Sequence, residues 1–177
     1  MAERSRSPSG GWLTSEALAA SGAVESRQWI ALERLLVSPD AAGAVELGRR
    51  YLAEIGPFTR GLVTTKLASG ETALVLGRAV PLLRFEAAAT EVDDGAVACH
   101  FRITGGLLAA RAGGSLTIEQ RSAPRQLELA VVGYVPRLGT SRRRWSLRRL
   151  LYTSVQARAH RAISRRFLEG AAEEARS

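Results

Sequence analysis

The residues best placed to do chemistry share one side of the C-terminal segment. Tyr152 and Gln156 stand four positions apart in a stretch that lacks Pro and Gly, so a helix would stack them on one face. The rest of that face is apolar, and a buried hydroxyl or amide requires a hydrogen-bond partner. That partner is either a backbone carbonyl or an oxygen atom of a ligand. Tyr152 and Gln156 are therefore the candidate catalytic residues.

The other reactive side chains form no recognisable catalytic motif. The two histidines, His100 and His160, fall in different predicted elements, and neither has a Cys, Asp or Glu at the spacing of metal ligands. Cys99 lies on the inward side of its predicted strand with no histidine on that side, which indicates a buried thiol rather than a nucleophile. No glycine-rich segment matches a phosphate-binding loop. The sequence thus predicts neither a metal nor a cofactor.

These candidates depend on a helix that the sequence predicts from Ser146 to Glu169. Ser146 is a good N-cap, because its hydroxyl can accept a hydrogen bond from a first-turn N–H. One face of the helix is mainly apolar and the other carries arginines, so another element must cover the apolar face. The apolar face consists of Tyr152, Val155, Gln156, Ala159, Ile163 and Phe167, and the opposite side of Arg158, Arg161 and Arg165 with Leu147, Leu150, Leu151 and Leu168.

Alternating apolar residues between Phe58 and Val135 predict a series of antiparallel strands. These strands can cover the apolar face of the terminal helix. The turn Asp93-Asp94-Gly95 indicates a hairpin that sets Glu86 opposite Arg102. The strands are predicted at 60–68, 72–79, 82–92, 96–104, 114–121 and 126–135. In this register the inward face holds Leu83, Phe85, Ala87, Ala89, Val97, Cys99, Phe101 and Ile103, and the outward face Arg84, Glu86, His100 and Arg102. Phe85 and Phe101 are expected to face the terminal helix.

The N-terminal third is less regular. Residues 1–24 are rich in Ser, Gly, Ala and Pro, which predicts a flexible segment before a single domain at 25–177. Residues 27–37 suit a strand or a short helix. Ser38 can then cap a helix whose first residue is Pro39 and which stops at Gly56-Pro57.

Composition indicates an ordinary soluble globular protein. The chain has 177 residues, of which 46% are hydrophobic and 24% charged, enough for one core. The single cysteine excludes an internal disulfide. The apolar runs are too short for a transmembrane helix, and the N-terminus lacks the apolar stretch of a signal peptide. These features predict a cytoplasmic protein and leave its oligomeric state open.

The net charge of +8 suggests a different kind of partner. Ten arginines and no acidic residue lie between Leu129 and Leu168, with Arg142, Arg143 and Arg144 in succession. Such a patch suits nucleic acid or an anionic membrane surface. Lys66 is the only lysine, however, so the arginine content also fits a codon-biased, GC-rich coding sequence. Aromatic residues for stacking on bases are few, which argues against nucleic acid.

The order of elements resembles the START-domain and polyketide-cyclase (SRPBCC) superfamily over about 27 to 169. The similarity rests on the Ser38-Pro39-Asp40-Ala41-Ala42 entry into the first helix, on the series of hairpins, and on the long helix after Tyr134-Val135-Pro136-Arg137. It implies an α+β helix-grip fold, a curved antiparallel β-sheet wrapped around a long C-terminal helix. The family usually has two short helices before its sheet, where this sequence has one clear candidate.

A helix-grip fold implies a hydrophobic pocket between sheet and terminal helix. Members of the superfamily bind lipids, steroids or polyketides, and some cyclise or dehydrate them, without universal catalytic residues. The expected partner is a hydrophobic small molecule. The expected function is its binding, and the most specific form is a polyketide-cyclase-like enzyme of specialised metabolism, a cofactor-free cyclase or dehydratase. The alternatives are a non-catalytic lipid or steroid carrier and a basic protein that binds nucleic acid or an anionic membrane surface. The pocket residues are expected to be Phe85, Cys99, Phe101, Leu116, Leu129, Tyr134, Val155 and Ala159.

Overall fold

The structure of this chain, a computed structural model, describes residues 3–6, 11–68, 70–137 and 147–177, with the backbone alone for 3–6, 18 and 147–157. The described residues form ten β-strands and two α-helices, so the chain has the α+β class that its sequence predicts. The strands are β1 (Glu3–Arg6), β2 (Leu13–Leu18), β3 (Val24–Ala31), β4 (Val63–Ala68), β5 (Glu71–Leu76), β6 (Val80–Phe85), β7 (Ala89–Asp93), β8 (Ala96–Gly105), β9 (Ser115–Ser122) and β10 (Arg125–Tyr134). The helices are α1 (Ala41–Phe58) and α2 (Leu147–Arg176).

The strands pair antiparallel and form one open sheet. Their order across the sheet is β1-β2-β3-β10-β9-β8-β6-β5-β4, and β7 pairs with β8 beyond the end of β6. The segment at 27–37, which suits a strand or a helix, contributes the second half of strand β3, between β2 and β10. Part of the N-terminal segment expected to be flexible also lies in the sheet, since β2 pairs with β3 along its whole length and Trp12 just before it is buried.

The hairpin predicted around Asp93-Asp94-Gly95 is present, with a register that differs by one residue near the turn. Asp93 pairs with Ala96, which leaves a loop of only two residues. Gly95 has a φ of 81°, the left-handed conformation that so tight a turn requires.

An irregular segment between β7 and β6 then restores the predicted register. The Glu86 N–H donates to the Arg102 carbonyl at 3.0 Å, as the sequence predicts for this pair. The predicted strand at 82–92 is therefore interrupted. Ala87 and Ala89 are exposed, whereas the sequence placed them inward. The one-residue shift pairs Ala89 with the outward-facing His100. Ala87 lies in the irregular segment outside this ladder, and the other residues of β7 are exposed as well.

Helix α1 is capped by Asp40 rather than by the predicted Ser38. The Asp40 carboxylate accepts a hydrogen bond from the Gly43 N–H at 2.8 Å, the usual geometry of an N-cap. The helix ends at Phe58, one residue beyond the predicted Pro57. It packs on β4, β7, β8 and β9. Its buried face consists of Ala44, Leu47, Gly48, Tyr51, Leu52 and Ile55.

Gly48 allows α1 to approach β8 closely. A Cβ atom at this position would lie 2.4 Å from Cys99 Sγ and 3.0 Å from Phe101 Cζ. Phe101 therefore packs on α1, and the prediction that it faces the terminal helix is wrong. The Phe85 ring meets the Phe101 ring edge-on, with the centroids 5.9 Å apart, and extends this part of the core.

This close approach gives a first prediction. Gly48→Ala is expected to lower the free energy of unfolding by about 1 kcal/mol, because overlap of the new methyl group with Cys99 outweighs the higher helix propensity of Ala. Gly170→Ala is the control, since Gly170 is an exposed glycine inside helix α2 where a Cβ atom meets nothing within 4 Å. It should raise the free energy of unfolding by up to about 1 kcal/mol. Urea unfolding measures both, and equal stability of the two variants would contradict the described contact.

Helix α2 covers the other half of the sheet and is longer than predicted. It continues past Glu169 and Gly170 to Arg176, and its described part packs on β3, β10 and α1. Its buried residues are Ser164, Phe167, Leu168, Ala171, Ala172 and Ala175, while Arg158, Arg161 and Arg165 are exposed. Leu168 is thus buried, although it is predicted to lie on the arginine side. The expected N-cap Ser146 lies outside the described residues. Within the described chain, neither helix has both the length and the apolar character needed to cross a membrane.

Candidate functional site

Between the inner face of the sheet and helix α2 lies a group of buried polar side chains without hydrogen-bond partners. Among the described residues, seven buried side-chain nitrogen and oxygen atoms are unpartnered, and all belong to this layer. They are Trp12 Nε1, Thr14 Oγ1, Ser26 Oγ, both amide atoms of Gln28, His160 Nε2 and Ser164 Oγ. We call these six residues the polar cluster. Each unpaired buried group costs about 1–3 kcal/mol, so packing alone does not explain the cluster.

Strand pairing brings the sheet members of the polar cluster together. Thr14 of β2 pairs directly with Gln28 of β3, and Glu16 pairs with Ser26. Alternate residues of a strand point to the same side, so Trp12, Thr14, Ser26 and Gln28 share the inner face. The exposed fraction is 0% for Gln28 and 4% for Ser26, so both side chains lie inside the protein.

Helix α2 runs alongside β3. Arg161 donates to Glu16, with Nη2 2.6 Å from Oε2, at the level where Glu16 pairs with β3. Eleven residues later, Ala172 lines the same groove as Ile30. The helix rises about 16 Å over these eleven residues, and the strand rises about 13 Å over the four residues from Ser26 to Ile30. The two elements therefore run side by side over similar distances.

The polar side chains of β3 and of α2 therefore lie at matching heights along the contact between the two elements. On this alignment, the rise of an ideal helix sets His160 near the level of Ser26, and Ser164, one helical turn later, near the level of Gln28 and Thr14. The polar cluster is thus a strip along the β3–α2 contact rather than a single point.

A second buried glutamine shows what a purely structural role requires. Gln120, on β9 and also on the inner face, is 2% exposed. Its Oε1 accepts hydrogen bonds from the Leu36 and Val37 N–H groups at 2.7 and 3.2 Å, and its Nε2 donates to the Val37 carbonyl at 2.9 Å. All of its bonds hold the loop before α1. Gln28 makes no such bond, and both its amide nitrogen and its amide oxygen lack a partner.

The described charges next to the polar cluster are compensated. Glu16, at its edge, accepts two hydrogen bonds from Arg161, at 2.6 and 3.1 Å. Burial lowers the pKa of His160 to about 4, against an opposing effect of Glu16 and with a further lowering by Arg161. The imidazole is therefore neutral near neutral pH. The site offers hydrogen-bonding groups and no free charge.

Tyr51 of α1 borders the polar cluster. Burial raises the pKa of its hydroxyl to about 12, and the nearby Ser164 hydroxyl opposes this shift. Ser164 Oγ nevertheless has no hydrogen bond of normal geometry. The Tyr51 ring meets the Phe167 ring edge-on at 5.4 Å, which joins the two helices beside the cluster. Tyr51 thus closes the α1 side of the layer.

The side chains of the predicted catalytic residues Tyr152 and Gln156 lie outside the described residues, as does that of Val155. Their backbone belongs to α2. Tyr152, Gln156, His160 and Ser164 follow one another at intervals of four, so they occupy one row along the helix. Their assignment as catalytic residues stays a prediction.

The other expected pocket residues occupy two parts of the inner layer. Leu129 is the register partner of Gln28 and so borders the polar cluster, and Ala159 is partly buried on α2. Tyr134 lies at the end of β10, where its hydroxyl donates to the Leu108 carbonyl at 2.7 Å. The remaining four are buried on the strands toward α1: Phe85, Cys99, Phe101 and Leu116. Only the β3–α2 part of the layer contains unpartnered polar atoms among the described residues.

The described residues offer neither a metal site nor a reactive cysteine. No group of three or more His, Cys, Asp and Glu side chains among them is close enough to hold a metal ion. Burial raises the pKa of the Cys99 thiol to about 11, and the backbone of Gly48 opposes the shift. The thiol is therefore protonated at neutral pH and acts as a small apolar group.

Two open grooves lie on the surface. One, of about 340 Å³, runs beside the β3–α2 contact and is lined by Ile30, Ala31, Glu33, Arg165, Glu169, Ala172, Glu173 and Arg176. The other, of about 260 Å³, lies at the turns that follow β7 and β9. Its lining residues contain no unpartnered buried atom. We therefore place the candidate site at the polar cluster, next to the first groove.

Sequence reasoning did not find Thr14, Ser26 and Gln28. Strand β3 is polar on both faces over its first five residues, Val24 excepted, so the alternation that marks a half-buried strand is absent. The available signal was the spacing Ser26-x-Gln28-x-Ile30, which has the period of a strand. His160 lies one helical turn from both Gln156 and Ser164, a spacing that favours a structural hydrogen bond for its ring. Its Nε2 instead has no partner.

Comparison with known proteins gives no indication of function, so the polar cluster is the main evidence for one. No protein-family model matches this chain, and neither a curated protein nor a solved structure is significantly similar to it. A functional proposal therefore depends on the geometry of the layer between sheet and helix.

Proposed function

We propose that this protein binds a hydrophobic small molecule in the layer between the sheet and helix α2. The polar cluster carries the proposal, because its unpartnered atoms lie in an otherwise apolar layer where a ligand can pair with them. Specific binding sites combine apolar walls with a few polar groups in this way. The apolar neighbours include Ile30, Leu127, Leu129, Ile163, Phe167 and Leu168.

The connectivity supports the same location. Strand β3 is followed by a helix and a run of antiparallel strands, and the last of these, β10, returns to pair with β3 before the terminal helix. This arrangement resembles the helix-grip fold of the SRPBCC superfamily, with β1 and β2 added beside β3. We infer a helix-grip protein, and in that fold the ligand lies between the sheet and the terminal helix.

The most specific form of the proposal is a polyketide-cyclase-like enzyme. Such a site would hold a flexible substrate in a reactive conformation and stabilise developing charge with hydrogen bonds, without a cofactor. Tyr152 and Gln156 are the proposed catalytic residues, in the same helical row as His160 and Ser164. A lipid or steroid carrier is the alternative, and it would use the polar cluster for affinity alone.

The structure gives less support to an anionic partner. Three exposed arginines of the basic region are ion-paired with carboxylates, as Arg161–Glu16, Arg165–Glu169 and Arg166–Glu54. Pairing of this kind reduces the positive potential that attracts phosphate groups. Arg142, Arg143 and Arg144 lie outside the described residues. Binding of nucleic acid or of a membrane surface is therefore not proposed.

Native mass spectrometry of the freshly purified full chain tests the proposal. We expect the added mass of a small molecule that denaturation releases. Gln28→Leu should lose that mass. In ligand-free protein it should also raise the free energy of unfolding by about 1 kcal/mol, because an unpaired buried amide gives way to an apolar group of similar size.

Gln120→Leu is the matched control, because it changes a glutamine of the same face whose amide nitrogen and oxygen both have hydrogen-bond partners. It should lower the free energy of unfolding, since the Leu36 and Val37 backbone groups lose their partner. If no small molecule is found and Gln28→Leu is destabilised like Gln120→Leu, Gln28 serves the fold and the proposal is wrong.

A further inference from the structure

We propose that the ligand of the polar cluster is an uncharged, elongated molecule with hydroxyl, carbonyl or amide groups distributed along its length. This inference rests on the proposed function and narrows its ligand class. It excludes amphiphiles with a single charged end, such as fatty acids. The argument comes from the charge, the hydrogen-bonding capacity and the spacing of the unpartnered groups.

The charge of the site excludes a charged ligand. All unpartnered atoms belong to neutral side chains, and Glu16 and Arg161 at the edge of the cluster neutralise each other at 2.6 Å. A carboxylate or an ammonium group placed among these atoms would leave water without gaining a counter-charge. Burial of an unpaired charge is far less favourable than burial of a neutral group that is hydrogen-bonded. The layer therefore favours neutral polar groups.

The hydrogen-bonding capacity calls for both donors and acceptors on the ligand. The Gln28 amide offers two N–H donors and one oxygen acceptor, and neither its nitrogen nor its oxygen has a partner. The hydroxyls of Thr14, Ser26 and Ser164 can each donate and accept, and the Trp12 indole can only donate. A ligand that carries both carbonyl and hydroxyl oxygens, or an amide, satisfies this set. A hydrocarbon leaves all of it unpaired.

The spacing calls for more than one polar group. Two residues of a strand span about 6.6 Å, so the levels of Ser26, of Gln28 with Thr14, and of Trp12 extend over about 13 Å. His160 and Ser164 repeat the first two levels on the helix side. A molecule with one polar end can pair with a single level. Only a molecule with polar groups at intervals can pair with several.

Isothermal titration calorimetry with four naphthalene compounds tests the inference on protein stripped of any co-purified ligand. Naphthalene has no polar group, 2-naphthoate has one charged group, 2-naphthamide one neutral group, and 6-hydroxy-2-naphthamide a neutral group at each end. The shared ring keeps the apolar contribution constant. We expect 6-hydroxy-2-naphthamide to bind about fivefold tighter than 2-naphthamide, and 2-naphthamide about fivefold tighter than naphthalene. The charged 2-naphthoate should bind at least about tenfold more weakly than the amide.

Three variants show which side chains cause the differences in affinity between the compounds. Gln28→Leu should weaken both amides about tenfold and leave naphthalene unchanged within about twofold. Ser164→Ala removes one hydroxyl and introduces a residue that favours a helix. It should weaken the binding of both amides about threefold, and it replaces Gln28→Leu in the test if that variant folds poorly. Ser122→Ala is the control, because its hydroxyl bonds the Gly95 carbonyl at a distant turn. It should bind all four compounds as the wild type does.

The outcomes separate this inference from the proposed function. If 2-naphthoate binds as tightly as 2-naphthamide, or naphthalene as tightly as either amide, the inference is overturned and a hydrophobic site remains. If none of the four compounds binds although native mass spectrometry shows a small molecule on the purified protein, the inference again fails alone. If neither experiment shows a bound molecule, both are wrong.

Discussion

Replacement of Phe101 with alanine is expected to lower the free energy of unfolding by about 3–5 kcal/mol. Phe101 is 3% exposed, lies against Gly48 of α1, and meets the Phe85 ring at 5.9 Å. The rigid backbone of two elements surrounds the ring, so the space that it leaves cannot collapse. Both the lost apolar burial and the remaining cavity then contribute to the loss.

Urea unfolding of the purified variant measures this effect. Leu67→Ala is the control, since Leu67 lies on edge strand β4 with 79% of its surface exposed. Truncation there should change the free energy of unfolding by no more than about 0.5 kcal/mol. If both variants lose the same small amount, Phe101 is not buried and the register of β8 is wrong.

The sheet around Phe101 could be predicted because its signals are local. The strands β4 to β10 alternate in hydrophobicity and are separated by turns whose residues favour one geometry, as at Gly95. The inward positions Val97, Cys99, Phe101 and Ile103 are all buried as predicted. An error of one residue arose at the turn, because Asp93-Asp94-Gly95 permits a loop of two residues as well as of three.

The position of the helices on the sheet could not be predicted in the same way. Two amphipathic helices are available to cover one apolar face, and their sequences do not state which strands each covers. Gly48 determines where α1 lies, because the absence of a side chain lets the helix pack directly on Cys99 and Phe101 of β8. A glycine within a helix indicates a close contact only once the partner is known.

The polar cluster was beyond sequence reasoning for a related reason. Gln28 is buried because α2, which begins more than 110 residues later in the chain, lies over β3. No local pattern encodes such a contact, and polar residues on both faces of β3 hide its inward side. The helical part of the site was more accessible, since Gln156, His160 and Ser164 stand out from an apolar face.

The second large effect expected is a loss of stability in mild acid caused by His160. Burial lowers the pKa of His160 to about 4 in the folded protein, whereas the ordinary value is 6.5. Above the ordinary value both states are neutral, and the histidine does not contribute. As the pH falls toward 4, the unfolded chain takes up a proton that the folded chain does not, so unfolding becomes more favourable. The loss should reach about 2 kcal/mol between about pH 7 and about pH 5.

Urea unfolding at several pH values in that interval measures the loss, and the two histidines of the chain provide a matched pair of variants. His160→Gln should remove most of the pH dependence, because no group with a lowered pKa remains at that position. His100→Gln changes a partly exposed side chain on the outer face, hydrogen-bonded to Thr117 and Glu91, and should leave the dependence in place. The opposite result would mean that folding does not lower the pKa of His160, so that its imidazole takes up a proton in the folded protein in mild acid. In that case the layer between β3 and α2 would hold a positive charge, and a preference for uncharged ligands would no longer follow from its chemistry.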